Sequence, residues 1–224
     1  MTFSLVARDP RSGAFGMVIC SSSPAVAARC VHLRPGVGAA GSQNITDPRL
    51  GQRALDLLAE GRTARQAVDD IVAQTPAIGY RQLILVDGHG RTAAFSGPHT
   101  LGVHAVAHGA AAVAAGNLLR HERVVETMLG AYAGSRVDGF EDRLLHGLRA
   151  ALAAGGEAGP VRSAGLCVVD TVAWPVTDLR VDWDDDPVGK LRQLWDVWRA
   201  QKEHYRARGL DPSGAPSFAV PGDP

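Results

Sequence analysis

Apolar and polar positions begin to alternate at the second residue. Thr2 to Arg8 (TFSLVAR) and Ala14 to Ser22 (AFGMVICSS) both have strand composition, and the DPRSG between them supplies Pro and Gly for a turn, so the chain is expected to open with a β-hairpin. Pro35 to Gln43 (PGVGAAGSQ) reads as a third strand, rich enough in glycine for another backbone or a ligand to approach closely. Two helices follow. The first opens at TDP, with Asp47 as N-cap and Pro48 at the first helical position; the second opens with Thr63 and Gln66 at capping-box spacing. YRQLILVDGHGRTAAFSG predicts a second hairpin around DGHG, and two short strands flank AHGAA. Two more helices are expected over Leu119 to Ala133 and Asp138 to Ala154, the latter with Asp138 and Glu141 as a capping pair and Gly155 beyond its end.

The last third returns to strands. SAGLCVVD is apolar enough to be central, whereas VTDLRVDWD alternates: Thr177, Leu179, Val181 and Trp183 on a buried face, Asp178, Arg180, Asp182 and Asp184 on a wet one. Asp186 and Pro187 then cap one long helix, with Leu191, Leu194, Trp195, Trp198 and Tyr205 near helical spacing. The order of strand pairs, helix pairs, strand pairs and a final helix predicts an α+β fold of two stacked, mainly antiparallel sheets with helices on both outer faces. A single domain over residues 1–208 is expected, with a Pro/Gly-rich tail over 209–224 that reads as disordered.

Composition narrows the function classes. With 224 residues and 46% hydrophobic content, the chain can bury a sizeable core as one domain. Twenty-three basic residues balance twenty-three acidic ones and no basic block stands out, which argues against nucleic acid and anionic membrane as partners. The most apolar stretch, LGVHAVAHGAAAVAAGNLL, holds two histidines, an asparagine and several glycines, and reads as buried strands, not a membrane span. No signal-peptide pattern opens the chain, and three cysteines cannot all pair within it, so a reducing cytoplasm is expected.

Candidate chemistry starts at Thr2. Initiator methionine is trimmed when the next side chain is small, and a chain beginning at Thr2 would carry a hydroxyl and a free α-amine on one residue. Such an amine, with an ordinary pKa of about 7.7–8.0, can serve as the base that activates the hydroxyl, so no separate histidine is required. The competing reading is that Thr2 is merely a small second residue.

MTFSLVARDPRSGAFGMVICSSSPAVAARC, GVGAAGSQNITDPRLGQRALDLLAEG, YRQLILVDGHGRTAAFSG, AAGNLL and DLRVDWDDDPVGKLRQLWDVW together resemble the bacterial domain of unknown function 1028 family, assigned to the N-terminal-nucleophile (Ntn) hydrolase superfamily, up to about Tyr205. The resemblance implies a four-layer αββα sandwich and amide-bond hydrolysis by the first residue of the mature chain, with Thr2 as nucleophile and, through its amine, general base. The reaction comes from the superfamily and is an argument by analogy. Gln43 and Asn44, where the third strand ends beside the first, and Asn117, which ends another strand, carry amides that could face an oxyanion; each could instead serve a turn or a helix cap. Ser21 and Ser22 could hydrogen-bond the α-amine or be surface serines. Proteasome-type members of the superfamily use a lysine near the nucleophile, whereas the two lysines here, Lys190 and Lys202, both fall in the C-terminal helix. Arg8, Arg29 and Arg34 are the nearby cations in sequence, and any of them would lower the amine's pKa.

The expected activity is cleavage of a small non-peptide amide C–N bond, with neither cofactor nor metal. The alternative is a catalytically silent protein of the same fold that binds a small metabolite or acts as an oligomeric scaffold. The Trp195 and Trp198 stripe suggests a homo-oligomer. Other constellations are weaker. His104 and His108 sit on a strand, not on the helix a zinc protease needs; Cys20, Cys30 and Cys167 lie in apolar surroundings; GHG and GVGAAG lack dinucleotide or phosphate-loop spacing. The acidic run DWDDDP reads as an exposed strand end followed by a helix cap, with calcium binding as its other reading.

Overall fold

The computed structural model of the chain describes residues 2–217. The opening hairpin forms as expected, from β1 (Thr2–Arg8) and β2 (Phe15–Ser21). A five-residue helix, α1 (Val26–Cys30), and an edge strand, β3 (Val31–Arg34), follow where the pattern predicted nothing. The glycine-rich strand is β4 (Gly38–Asn44), and α2 (Pro48–Ala59) and α3 (Ala64–Gln74) then form with the expected caps. Asp47 accepts from the Arg49 N–H, and the reciprocal Thr63–Gln66 box is complete. Next come β5 (Arg81–Asp87), β6 (Thr92–Ser96), β7 (Ala105–Gly109) and β8 (Ala112–Asn117), then α4 (Arg123–Gly134), α5 (Phe140–Ala153), β9 (Ser163–Val169) and β10 (Thr177–Val181). The chain closes with α6 (Pro187–Trp198), α7 (Lys202–Leu210) and a 3-10 turn at Pro212–Gly214. The rest of the expected tail, residues 218–224, lies outside the described residues.

The strands build two antiparallel sheets. One has six strands in the order β10-β9-β2-β1-β8-β7, the other four in the order β3-β4-β5-β6. Helices α4, α5 and α6 cover the outer face of the first, and α2 and α3 that of the second, giving the four layers αββα. Alternation along β1 divides its side chains between two cores: Phe3, Leu5 and Ala7 pack under the helices, while Val6 joins Phe15, Met17, Ile19, Ile84 and Val86 between the sheets. A strand buried on both faces loses the clean polar alternation of a solvent-facing one, which is why β2 and β9 read as continuous apolar runs.

Several elements depart from expectation. β10 ends at Val181, so Trp183 lies beyond the edge strand and is 61% exposed, with the Arg162 guanidinium 5.7 Å from its ring centroid. Helix α4 starts four residues late because Leu118 and Leu119 pair with Leu101 and Val103. Helix α5 is led by Gly139 with no side-chain cap; the Asp138 carbonyl accepts from Arg11 instead. The long C-terminal helix breaks after Trp198. Trp195 is buried against the protein's own core and donates its indole N–H to Asp142, and Trp198 donates to the Val176 carbonyl, so the stripe on which the oligomer expectation rested covers this chain's own sheet. Leu194 and Tyr205 face outward. No helix among the described residues is long and apolar enough to cross a membrane.

Candidate active site

Between the sheets the filling changes character along the strands. At the end where β1 finishes, Val6, Phe15, Val86, Val113 and Val169 form an apolar layer. At the end where β1 begins, the same face carries polar groups. Thr2 lies opposite Asn117 on β8. The β1–β2 register, continued one step beyond the Phe3–Cys20 pair, sets Thr2 opposite Ser21, which in turn lies opposite Ser163 on β9. Directly opposed residues of antiparallel strands share a face, so Ser163, Ser21, Thr2 and Asn117 form one polar row across four strands. The facing sheet has a matching row, Gln43–Gln82–Ser96, across β4, β5 and β6.

The rows are joined by a buried amide network. Gln82 Oε1 accepts from both Gln43 Nε2 (2.8 Å) and Asn117 Nδ2 (3.1 Å), which also fixes the orientation of those amides. Ser4 donates to Gln43 Oε1 (2.6 Å), and Gln82 Nε2 donates to Ser96 Oγ (3.0 Å) and to the Gly116 carbonyl (3.1 Å). Gln43 is thus fully engaged in binding the two sheets together, one layer deeper than Thr2. Asn117 is not a helix cap, since α4 begins six residues later. Its Oδ1 is buried and has no hydrogen-bond partner, leaving an acceptor beside Thr2.

A hydroxyl relay runs the other way from Thr2. Its Oγ1 donates to Ser21 Oγ (3.3 Å), Ser21 Oγ also accepts from the Ser23 N–H (3.1 Å), and the Ser21 and Ser23 hydroxyls are 2.8 Å apart. Arg29, on α1, donates through Nη2 to Ser23 Oγ (2.5 Å) and through Nη1 to the Pro24 carbonyl. Of the three candidate cations only Arg29 joins this relay: Arg34 pairs with Asp56 (2.8 Å), and Arg8 ends β1 at its far end. A guanidinium at the end of the relay favours negative charge developing on the hydroxyls. Ser22 lies just past the end of β2, and Asn44, at a positive φ of 73°, braces loops, donating to the Tyr80 carbonyl (2.6 Å) and accepting from the Leu101 N–H (3.2 Å).

Sequence reasoning passed over Glu157. It lies in a loop after α5, is buried, and accepts the Ser22 N–H at both carboxylate oxygens (3.0 and 3.2 Å). Burial pushes its carboxyl up to about 7, against the pull of the chain's N-terminal amine and of the Ser22 hydrogen bond. The visible signal was a lone acid in GGEAG; Gln82, in RQLILV, was likewise a lone amide in an apolar strand. The thiols of Cys20 and Cys167 are pushed up by burial, the latter to about 12, and hold their protons. Lys190 lines an outer groove and Lys202 pairs with Glu141 (2.8 Å), so neither is in the relay or the amide network. His104 lies against the Gly102 carbonyl and His108 against Thr92, and among the described residues no three His, Cys, Asp or Glu side chains gather as a metal site.

The fold and site define a layered αββα protein whose second residue, on a central strand, anchors a buried polar end of the sandwich. The chain belongs to DUF1028, a family of unknown function, whose profile matches residues 2–191. It is similar to the crystal structure of protein SPO2555 from Silicibacter pomeroyi, also DUF1028, at 31% identity over 89% of each chain with a TM-score of 0.82. Fainter likenesses are to Anbu (ancestral beta-subunit) from Yersinia bercovieri, at 11% identity over 89% of this chain and 95% of that one with a TM-score of 0.39. An Anbu mutant from Hyphomicrobium sp. strain MC1 matches at 13% identity over 98% and 100%, with a TM-score of 0.42. Among curated proteins no match is found.

Proposed function

We propose that this protein is an amide hydrolase of the N-terminal-nucleophile type, acting on a small non-peptide amide after Met1 is removed. The observation that carries the reading is the place of Thr2: first on a central strand, facing the polar end between the sheets, with its hydroxyl leading into a relay that ends on Arg29. Removal of Met1 frees the Thr2 α-amine. That amine takes the proton from Oγ1 as the oxygen attacks the amide carbonyl, the carbonyl π pair moves to oxygen, and the proton passes to the leaving nitrogen as the C–N bond breaks. Water then hydrolyses the acyl-threonine ester by the same route. The absence of lysine from the relay and amide network sets this site apart from a proteasome-type peptidase.

A library of small amides and lactams, screened with wild type and variants side by side, tests the reading. Thr2→Ala is expected to abolish turnover, since no oxygen remains to be acylated. Thr2→Ser is expected to keep measurable activity, because it retains hydroxyl and amine and still permits methionine removal. A chain that keeps Met1 has its amine locked in a peptide bond and should be inactive although the hydroxyl is present. Full activity with a blocked N-terminus overturns the mechanism. The burial of Thr2, only 4% exposed, favours the second reading, a catalytically silent binding protein, and under it Thr2→Ala leaves metabolite binding intact.

A further inference from the structure

We propose that Glu157 is the positioning residue for the Thr2 α-amine, accepting a hydrogen bond from it once Met1 is gone and neutralising the ammonium formed when the amine takes the hydroxyl proton. The proposal rests on the hydrolase reading for its catalytic meaning, though the contact itself is testable without turnover.

Three observations converge on it. The first is register. The β1–β2 register carried one step on sets Thr2 opposite Ser21, and the N–H of the next residue, Ser22, is the group that Glu157 holds with both carboxylate oxygens. The second is the rigidity of the loop that delivers the carboxylate. Gly155 and Gly156 both adopt positive φ, 109° and 51°, turning the chain sharply at the end of α5. The loop is then clamped by the Arg120 N–H to the Gly156 carbonyl (3.0 Å), the Ala158 N–H to the Leu118 carbonyl (2.9 Å), and a bridge between Glu157 and Leu119. A Cβ added to Gly156 would stand 3.3 Å from the Phe3 ring, so the loop lies directly beside the start of β1. The third is electrostatic: the charge of the chain's terminal amine already acts on Glu157 with Met1 in place. Trimming one residue delivers that charge to Thr2 itself.

The chemistry balances without a further group. During attack the proton leaves Oγ1 for the α-amine, which becomes an ammonium; Glu157 in its carboxylate form offsets that charge; the proton then goes to the leaving nitrogen. A carboxylate placed here fills the electrostatic vacancy left by the missing lysine in an unexpected sense, since it holds the base and favours its protonated form, whereas Arg29 acts on the hydroxyl side through Ser23. The other titratable or charged groups around Glu157 are Cys20 on β2, Arg120 and His121 packed on Gly155, and Arg162, whose backbone bonds Ser21 and whose side chain pairs with Asp185.

The test is the titration of the Thr2 α-amine, followed by nitrogen-15 NMR in the Met1-free protein labelled at threonine. Glu157→Gln, which keeps the side-chain oxygen facing Ser22, should lower the amine's midpoint by about one unit or more, because an opposite charge within reach favours the ammonium. An unshifted midpoint overturns the proposal. Should Glu157→Gln not fold, wild type carbamylated at Thr2 replaces it: the Glu157 carboxyl, read by carbon-13 NMR, should titrate higher than in the protein with a free amine, and an unchanged value again overturns it. Failure of the hydrolase reading shows separately, as turnover that survives Thr2→Ala, and leaves these titrations interpretable.

Discussion

At the scale of single residues, the polar end of the sandwich depends on Gln82 more than on any group visible beforehand. It is the shared acceptor for buried Gln43 and Asn117 and a donor to half-buried Ser96 and to the Gly116 carbonyl. Gln82→Leu keeps the bulk and strands those partners, and each buried unpaired group costs about 1–3 kcal/mol, so a loss of about 2–4 kcal/mol in urea unfolding is expected. Within the candidate site, Thr2, Ser21 and Asn117 were legible because they stand at the ends of strands whose apolar composition was plain. Gln82 and Glu157 were not, because their meaning comes from what another strand or loop brings opposite them. Asn117 shows the limit from the other side: an Asn shortly before an expected helix reads as a cap, and only the pairing of Leu118 and Leu119 with Leu101 and Val103 removes that role.

At the scale of elements, the two hairpins, the N-caps of α2 and α3 and the central β9 followed from local signals: turn residues, a capping box and apolar runs. What escaped was α1 with β3. Five residues are too few to show a helical period, and α1 is held in place by tertiary contact instead. That contact is with Gly165 on β9, where an added Cβ would fall 2.4 Å from the Ala27 Cβ. Gly165→Ala must therefore push α1 outward, and with it Arg29 and the end of the hydroxyl relay. A loss of about 1–3 kcal/mol is expected from the overpacking. If the hydrolase reading holds, the same variant should lose turnover out of proportion to its folded fraction, measured by circular dichroism at the assay temperature. The break between α6 and α7 was equally invisible, since it is set by where Lys202 meets Glu141 and Trp198 stacks on Tyr205.

Across the whole molecule, the end opposite the site is fastened by two carboxylates, one for each outer layer. Asp9, at the β1–β2 turn, accepts from Arg143 of α5 (2.6 Å); Asp87, at the β5–β6 turn, accepts the Ala64 N–H that opens α3 (3.1 Å). Burial alone would raise both carboxyls, but the hydrogen bonds of Ser12 and Arg143 to Asp9, and of Ala64, His89 and Arg91 to Asp87, hold them below the usual carboxylate range. A depressed folded pKa gives stability that is fully present above the ordinary value of about 3.9 and is lost as pH falls through the folded value. The double variant Asp9→Asn, Asp87→Asn should thus be less stable than wild type at pH 7, and the difference should shrink as acid unfolding is followed below about pH 4; a constant gap would show that the carboxylate charge is not what matters. The central place of β1 has a last consequence, for the order of events in synthesis. One of its neighbours, β2, follows immediately, but the other, β8, is made over a hundred residues later, on the order of ten seconds at ordinary translation rates. Until then β1 has a strand partner on one side only; once β8 pairs, Thr2 lies between two strands and is 4% exposed.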